Sequence, residues 1–232
     1  MNVIYILVPV ILLFISQSYI KSIYSKYKDI KSKKKITGKE AAEKILKKYN
    51  INDVKIEKVS GTLTDHFDPK NKVIRLSEEV YSGTSLAALS ISAHEVGHVI
   101  QYNEGYIPMK IRSFLVPVVN FSSKVGYLIF VIGLISTILN LAYIGLGFMA
   151  MALVFQLITL PVEFDASMRA IESLYEEKII LKEEKSSVSS VLRAAAFTYI
   201  ASFLVTMMEM LRLLSYINRR NWYERYCKLG NG

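Results

Sequence analysis

Apolar and polar positions divide this chain into long stretches that are oily on every side and shorter stretches with a clear period. Val3 to Ile20 carries no charge, which is about the length that spans a bilayer. Val125 to Val162 is also uncharged. As one helix it would run roughly 57 Å at about 1.5 Å per residue, too long for one crossing and about right for two. Asn140 or Gly145-Leu146-Gly147 is the expected turn between its arms. Phe114 to Asn120, with Pro117, is a shorter apolar piece expected to lie in the interface. Ala194 to Met208 is the last one, and Glu209 and Arg212 follow it at once.

Ile36 to about Tyr106 reads differently. Thr37-Gly38-Lys39-Glu40 fits a capping box, and Ala41, Ala42, Ile45 and Leu46 form one apolar helix face. Val54, Ile56 and Val59 predict a strand ending at Gly61. Asp68-Pro69-Lys70-Asn71 is a turn signal. Its flanks, Leu63 to Phe67 and Lys72 to Leu76, predict a hairpin, with Asp65 and Asp68 as turn formers. Thr84 or Ser85 is placed to cap a long helix that follows.

The fold class expected is mainly α with a small β-hairpin or sheet, and three or four transmembrane helices. The division is an anchor over 1–20, a basic linker over 21–36 and an α+β part over 37–112. A membrane hairpin over 113–162 follows. Beyond it come a helix and loop over 163–193, an apolar helix over 194–216 and a basic tail over 217–232. The first stretch has no basic start and no small-residue cleavage site, so it reads as a retained anchor rather than a signal peptide. The 194–216 helix is either a fourth span or a helix buried against the α+β part.

Charge orients this arrangement. The formal net charge is +9, and Lys21, Lys26, Lys28, Lys31, Lys33, Lys34 and Lys35 crowd behind the first apolar stretch. By the positive-inside rule that end faces the cytoplasm, touching anionic lipid. No nucleic-acid motif accompanies the basic residues, so nucleic acid is not an expected partner. The only cysteine is Cys227, which excludes an intrachain disulfide and a Cys-rich structural zinc site.

The chemistry is concentrated in Ser92-Ala93-His94-Glu95-Val96-Gly97-His98-Val99-Ile100-Gln101, an HExxH motif within a helical pattern. Residues i and i+4 share a helix face, so His94 and His98 can turn imidazole nitrogens toward one ion. Glu95 is then placed to hold a water and take its proton. Catalytic zinc takes three protein ligands and a water. Glu163 is the candidate third ligand, because it closes the second arm of the apolar hairpin just after Pro161, on the membrane face from which the chain left. A glutamate on a second helix facing HExxH is the gluzincin layout. Pro161 suits the first turn of that helix, while Ala166 and Ala170 permit close approach. His66 is the remaining histidine, expected in the hairpin turn with a lesser role at the site. Arg193 and Arg169 are candidates to polarise a scissile carbonyl or bind a substrate carboxylate, or else flank arginines at a membrane end. Tyr199 is a candidate donor to an oxyanion, though a tyrosine buried within the bundle is the preferred reading.

Glu163-Phe164-Asp165-Ala166-Ser167 resembles the E-x-x-A-D segment of the HtpX and CAAX-prenyl endopeptidase superfamily, which supplies the third zinc ligand. Leu63-Thr64-Asp65-His66-Phe67-Asp68-Pro69, the segment Ala93 to Gln101, and Leu192-Arg193-Ala194-Ala195-Ala196-Phe197-Thr198-Tyr199 resemble the neutral zinc metallopeptidase family of small bacterial membrane proteins. The resemblance covers most of the chain in matching order. It implies an integral membrane gluzincin holding one Zn²⁺ per chain on His94, His98 and Glu163, with Glu95 as catalytic base. One departure is Ser167, where the superfamily has an aspartate that buttresses a ligand histidine. A hydroxyl carries no charge, so ligand basicity is tuned less strongly there. Asp165 is expected to face elsewhere on its helix.

The function expected is hydrolysis of peptide bonds in membrane-associated or unfolded proteins at the cytoplasmic face of a multi-pass membrane protein. The competing expectation is a catalytically silent membrane adaptor with a structural zinc site. An intact Glu95 weighs against it, since a structural site has no use for a base there.

Overall fold

The computed structural model describes residues 3–229, with side chains through residue 222. The basic tail, Cys227 included, lies largely outside the described side chains. Seven helices and three strands follow in the order α1 (Ile4–Lys28), α2 (Gly38–Lys48), β1 (Lys55–Val59), β2 (His66–Asp68), β3 (Val73–Ser77), α3 (Glu78–Tyr81), α4 (Leu86–Asn103), α5 (Ile107–Ile135), α6 (Leu139–Glu176) and α7 (Lys185–Leu229). Among the described residues, α1, α5, α6 and the stretch Lys182–Trp222 are long and apolar enough to cross a membrane. The chain forms two compact units, one of residues 16–110 and 160–198, the other of residues 1–15, 111–159 and 199–232.

In the first unit the cap at Thr37 is complete. Its hydroxyl accepts from the Glu40 amide at 3.2 Å, and the Glu40 carboxylate accepts from the Thr37 amide at 2.8 Å. These bonds satisfy two backbone donors that an uncapped helix leaves open. Thr37→Ala is expected to cost about 1 kcal/mol, read as a lowered thermal unfolding midpoint with unchanged zinc content. Ala41, Ala42, Ile45 and Leu46 are buried as their spacing predicts.

The sheet has the order β1-β3-β2, with β1 parallel and β2 antiparallel to β3. Strand β3 is central and carries the fully buried Ile74 and Leu76. The expected hairpin is present but shorter on one side, because β2 begins only at His66. Gly61 (φ 105°) and Leu63 (φ 58°) hold left-handed conformations that cannot extend a strand. Asp68 accepts from the Lys70 and Asn71 amides and forms the turn. The Asn71 side chain and the Arg75 guanidinium hold its carboxyl well below the usual range. Asp65 is no turn former: its carboxylate accepts from the Ser77 amide at 2.7 Å, tying the approach to β2 onto the end of β3.

Helix α1 runs on to Lys28, so Lys21, Lys26 and Lys28 are helical, and Tyr24 and Tyr27 enter the core. Lys33 pairs with Glu183 and Lys48 with Glu176. The turn between α6 and α7 thus meets the basic segment, and its Ile179 and Ile180 are fully buried in the core.

In the second unit, α5 and α6 form the expected apolar hairpin with a different turn. The chain reverses over 136–138, where Thr137 has φ 61° and all three residues are exposed. Neither Asn140 nor Gly145-Leu146-Gly147 turns. Gly145 instead lets α6 approach α5, since a Cβ there would meet the backbone of Phe130 and the carbonyl of Gly126. Without water to drive association, small residues and close contact are what hold such helices together. Phe114 to Asn120 is part of α5, not a separate interfacial piece. On α7, Arg220 donates to the Leu134 carbonyl at 2.7 Å, and Tyr143 donates to Asn218 at 2.6 Å.

Candidate metal centre

The site is built where α4 crosses α6. Helix α4 begins at Ser85, whose hydroxyl accepts from the Ala88 amide at 3.1 Å. It is buried on most of its surface, because residues 86–90 and 95–101 pack on every side. Ser92 donates to the Gly38 carbonyl at 2.6 Å and fixes the helix against α2. Gly97 lies against Ala166 so closely that a Cβ would come within 2.6 Å of the Ala166 carbonyl oxygen. Backbone therefore meets backbone, one turn from Glu163 on α6 and between His94 and His98 on α4.

That contact brings three side chains together. The Glu163 Oε2 lies 3.1 Å from His94 Nε2 and 3.6 Å from His98 Nε2. The two imidazoles stand edge to face, with centroids 4.7 Å apart. One donor atom from each of His94, His98 and Glu163 lies within 4.8 Å of the others, forming a metal-competent group among the described residues. Glu163 is 2% exposed. Burying a carboxylate with two imidazoles and a further carboxylate, Glu95, is costly unless something compensates their charge and polarity. A divalent cation does so. Zinc binds such donors at about 2.0–2.2 Å, which sets neighbouring ligand atoms about 3.3 Å apart in a tetrahedron. The observed 3.1 and 3.6 Å bracket that value, so the donor set fits zinc.

Pro161 and Glu163 do not start a helix. They sit inside α6, which continues unbroken from Leu139 to Glu176. Ser167, one turn past Glu163, approaches His94 Nδ1 at 3.3 Å. The hydroxyl therefore stands where the resemblance implied an aspartate. Glu95 is buried at the same stretch of α4. Asp65 is close enough for the Glu95 charge to be felt. Burial pushes the Asp65 carboxyl up, the Ser77 bonds pull it down, and Glu95 adds to the rise.

The other expected residues are not members of the metal-competent group. His66 is exposed on β2, with Nδ1 2.8 Å from the Thr64 carbonyl and Nε2 3.4 Å from Arg75. Arg193 is exposed and bonds to Ser189 one turn back on α7. Arg169 spends its guanidinium on Asp165 at 2.6 Å and Glu104 at 2.7 Å. Tyr199 is on the surface.

Two residues beside the site were not anticipated in these positions. Gln101 is completely buried, with its carboxamide oxygen 3.0 Å from His98 Nδ1. Asp165 faces Gln101, accepting from its amide at 2.8 Å, instead of pointing away. The signal for Gln101 was its spacing, three residues after His98 and so on the same helix face. Asp165 gave no such signal, because its partner comes from another helix.

A family described as "putative neutral zinc metallopeptidase" matches residues 2–218. A relative from Bacillus subtilis (strain 168), named "Putative membrane protease YugP", is 44% identical over 209 residues, covering 90% of this chain and 93% of its own length. No solved structure matches.

Proposed function

The chain belongs to this neutral zinc metallopeptidase family, and on that premise we propose that it is a membrane-bound endopeptidase that hydrolyses peptide bonds of membrane-associated or unfolded proteins. The observation that carries the reading is the convergence of His94, His98 and Glu163 donor atoms beside Glu95. One Zn²⁺ per chain is held by those three side chains. Bound zinc supplies Lewis acidity, which acidifies a water and polarises the substrate carbonyl. Glu95 takes the proton of the attacking water and passes it to the leaving amine. Buried surroundings strengthen both interactions by keeping bulk water away.

Strand β2 is suited to present substrate. It pairs with β3 on one side only, and Phe67 packs edge to face on Tyr102 of α4 at 5.9 Å. An extended peptide adding to such an edge gains backbone hydrogen bonds while lying beside the site helix.

The site faces the cytoplasm in a four-span arrangement. Two observations support this. By the positive-inside rule, the dense basic segment after Val3–Ile20 favours a cytoplasmic end for that span. The bonds from Arg220 to Leu134 and from Tyr143 to Asn218 bring residues 218–220 of α7 to the α5–α6 turn, as expected of a helix that crosses alongside that hairpin. The lipid bilayer and protein substrates are the partners; nucleic acid is not.

The test is hydrolysis of casein by the detergent-purified chain. Chelation is expected to remove activity, and zinc restored to one ion per chain is expected to return it. Zinc bound at that ratio with no hydrolysis of casein or of native membrane proteins would refute the enzyme reading.

A further inference from the structure

We propose that Gln101 is a positioning residue that locks the tautomer of His98 and so fixes which nitrogen is presented to metal. The inference rests on the reading of His98 as a zinc ligand. The Gln101 amide nitrogen lies 2.7 Å from the Val162 carbonyl and 2.8 Å from the Asp165 carboxylate. Neither of those groups has a hydrogen to give, so the amide must donate to both. Rotating the amide would set its oxygen against two acceptors and its NH₂ against His98. The carboxamide oxygen therefore faces His98 Nδ1, at 3.0 Å. An oxygen there requires that Nδ1 carry the hydrogen. Nε2 is then bare, and Nε2 is the nitrogen 3.6 Å from Glu163.

The lock is itself anchored. Asp165 is held by Arg169, which also reaches Glu104 at the end of α4. The chain His98–Gln101–Asp165–Arg169–Glu104 thus begins and ends on α4 and passes through α6. Hydrogen-bonded partners of this kind raise ligand basicity and set ring orientation, and removing one typically costs about 10–100-fold in metal affinity. His98 receives a neutral but rigidly oriented oxygen from Gln101, and His94 a hydroxyl from Ser167.

The chain has three histidines, which makes a direct readout practical. The full chain labelled with ¹⁵N-histidine is purified in detergent, stripped of zinc and held at mildly alkaline pH. His98 is expected as the Nδ1–H tautomer, although free imidazole favours Nε2–H. Gln101→Leu is expected to move His98 toward Nε2–H and to weaken zinc binding about 10–100-fold against a chromophoric chelator. Gln101→Glu keeps an oxygen opposite Nδ1 but sets the other against the Val162 carbonyl and the Asp165 carboxylate, so it is expected to keep His98 as Nδ1–H without restoring the affinity. A merely structural Gln101 would lower the melting temperature and leave both the tautomer and the affinity of folded protein unchanged, which would overturn the proposal. So would His98 as Nε2–H in the wild type, a result that needs no variant to fold. Failure of the wild type to bind zinc would strike the metal reading instead, with the tautomer measured independently.

Discussion

Glu95→Gln is expected to lose casein hydrolysis by at least ~10²–10⁴-fold while keeping its zinc. The substitution retains shape and hydrogen-bonding reach but removes the ability to accept a proton. Glu95 is buried on α4, and the metal-competent group consists of His94, His98 and Glu163 without it. Metal content, helicity and melting behaviour should therefore stay near wild type. Measuring zinc per chain alongside initial rates separates the two roles. Loss of zinc together with activity would show that Glu95 builds the site and does not act in it. Activity near wild type would remove Glu95 from the reaction altogether.

Gly97→Val is expected to destabilise the chain by about 3 kcal/mol and to abolish zinc binding at one per chain. The first added carbon alone would sit 2.6 Å from the Ala166 oxygen and 3.1 Å from two further Ala166 backbone atoms. A flexible side chain could swing away from such a clash. Backbone in the middle of α6 cannot, so α4 and α6 must separate. Separation withdraws Glu163 from both imidazoles, since its 3.1 and 3.6 Å approaches depend on this crossing. Gly147→Ala is the control: nothing lies within 4 Å of the added carbon, and helix propensity favours alanine. It should keep full zinc content. A Gly97→Val protein with normal zinc would mean that the crossing does not set the ligand geometry.

Much of this site could be read along the chain because its determinants are local or unusually constrained. The i, i+4 spacing of His94 and His98 is a property of one helix. Glu163 was reachable because zinc needs a third donor and the uncharged hairpin returns the chain near its point of departure. The capping box at Thr37 and the turn at Asp68 also lie within four residues of their partners. What escaped was set by contact between distant segments. Gly145 looked like a turn former, yet its missing side chain serves the approach to Phe130 and Gly126. Pro161 looked like a helix start, but long apolar helices carry proline in their interior when neighbours and side chains compensate the lost bond. Asp165 looked turned away by helical phase, yet Gln101 and Arg169 both reach it. Asp65 resembled its neighbour Asp68 in composition and differs entirely in use, because Ser77 comes from the far end of β3.

The two turns that join the last three helices differ in what they would tolerate. Residues 136–138 are exposed, and the reversal there carries no buried side chain. In the turn between α6 and α7, Ile179 and Ile180 are sealed in the core beside Leu174 and Val188. An epitope or reporter spliced after Thr137 should thus leave the fold intact and report which side of the membrane it occupies. The same cassette beside Ile179 would pry open the hydrophobic interior. For anyone engineering or mapping this protein, the chain offers one door there and one keystone.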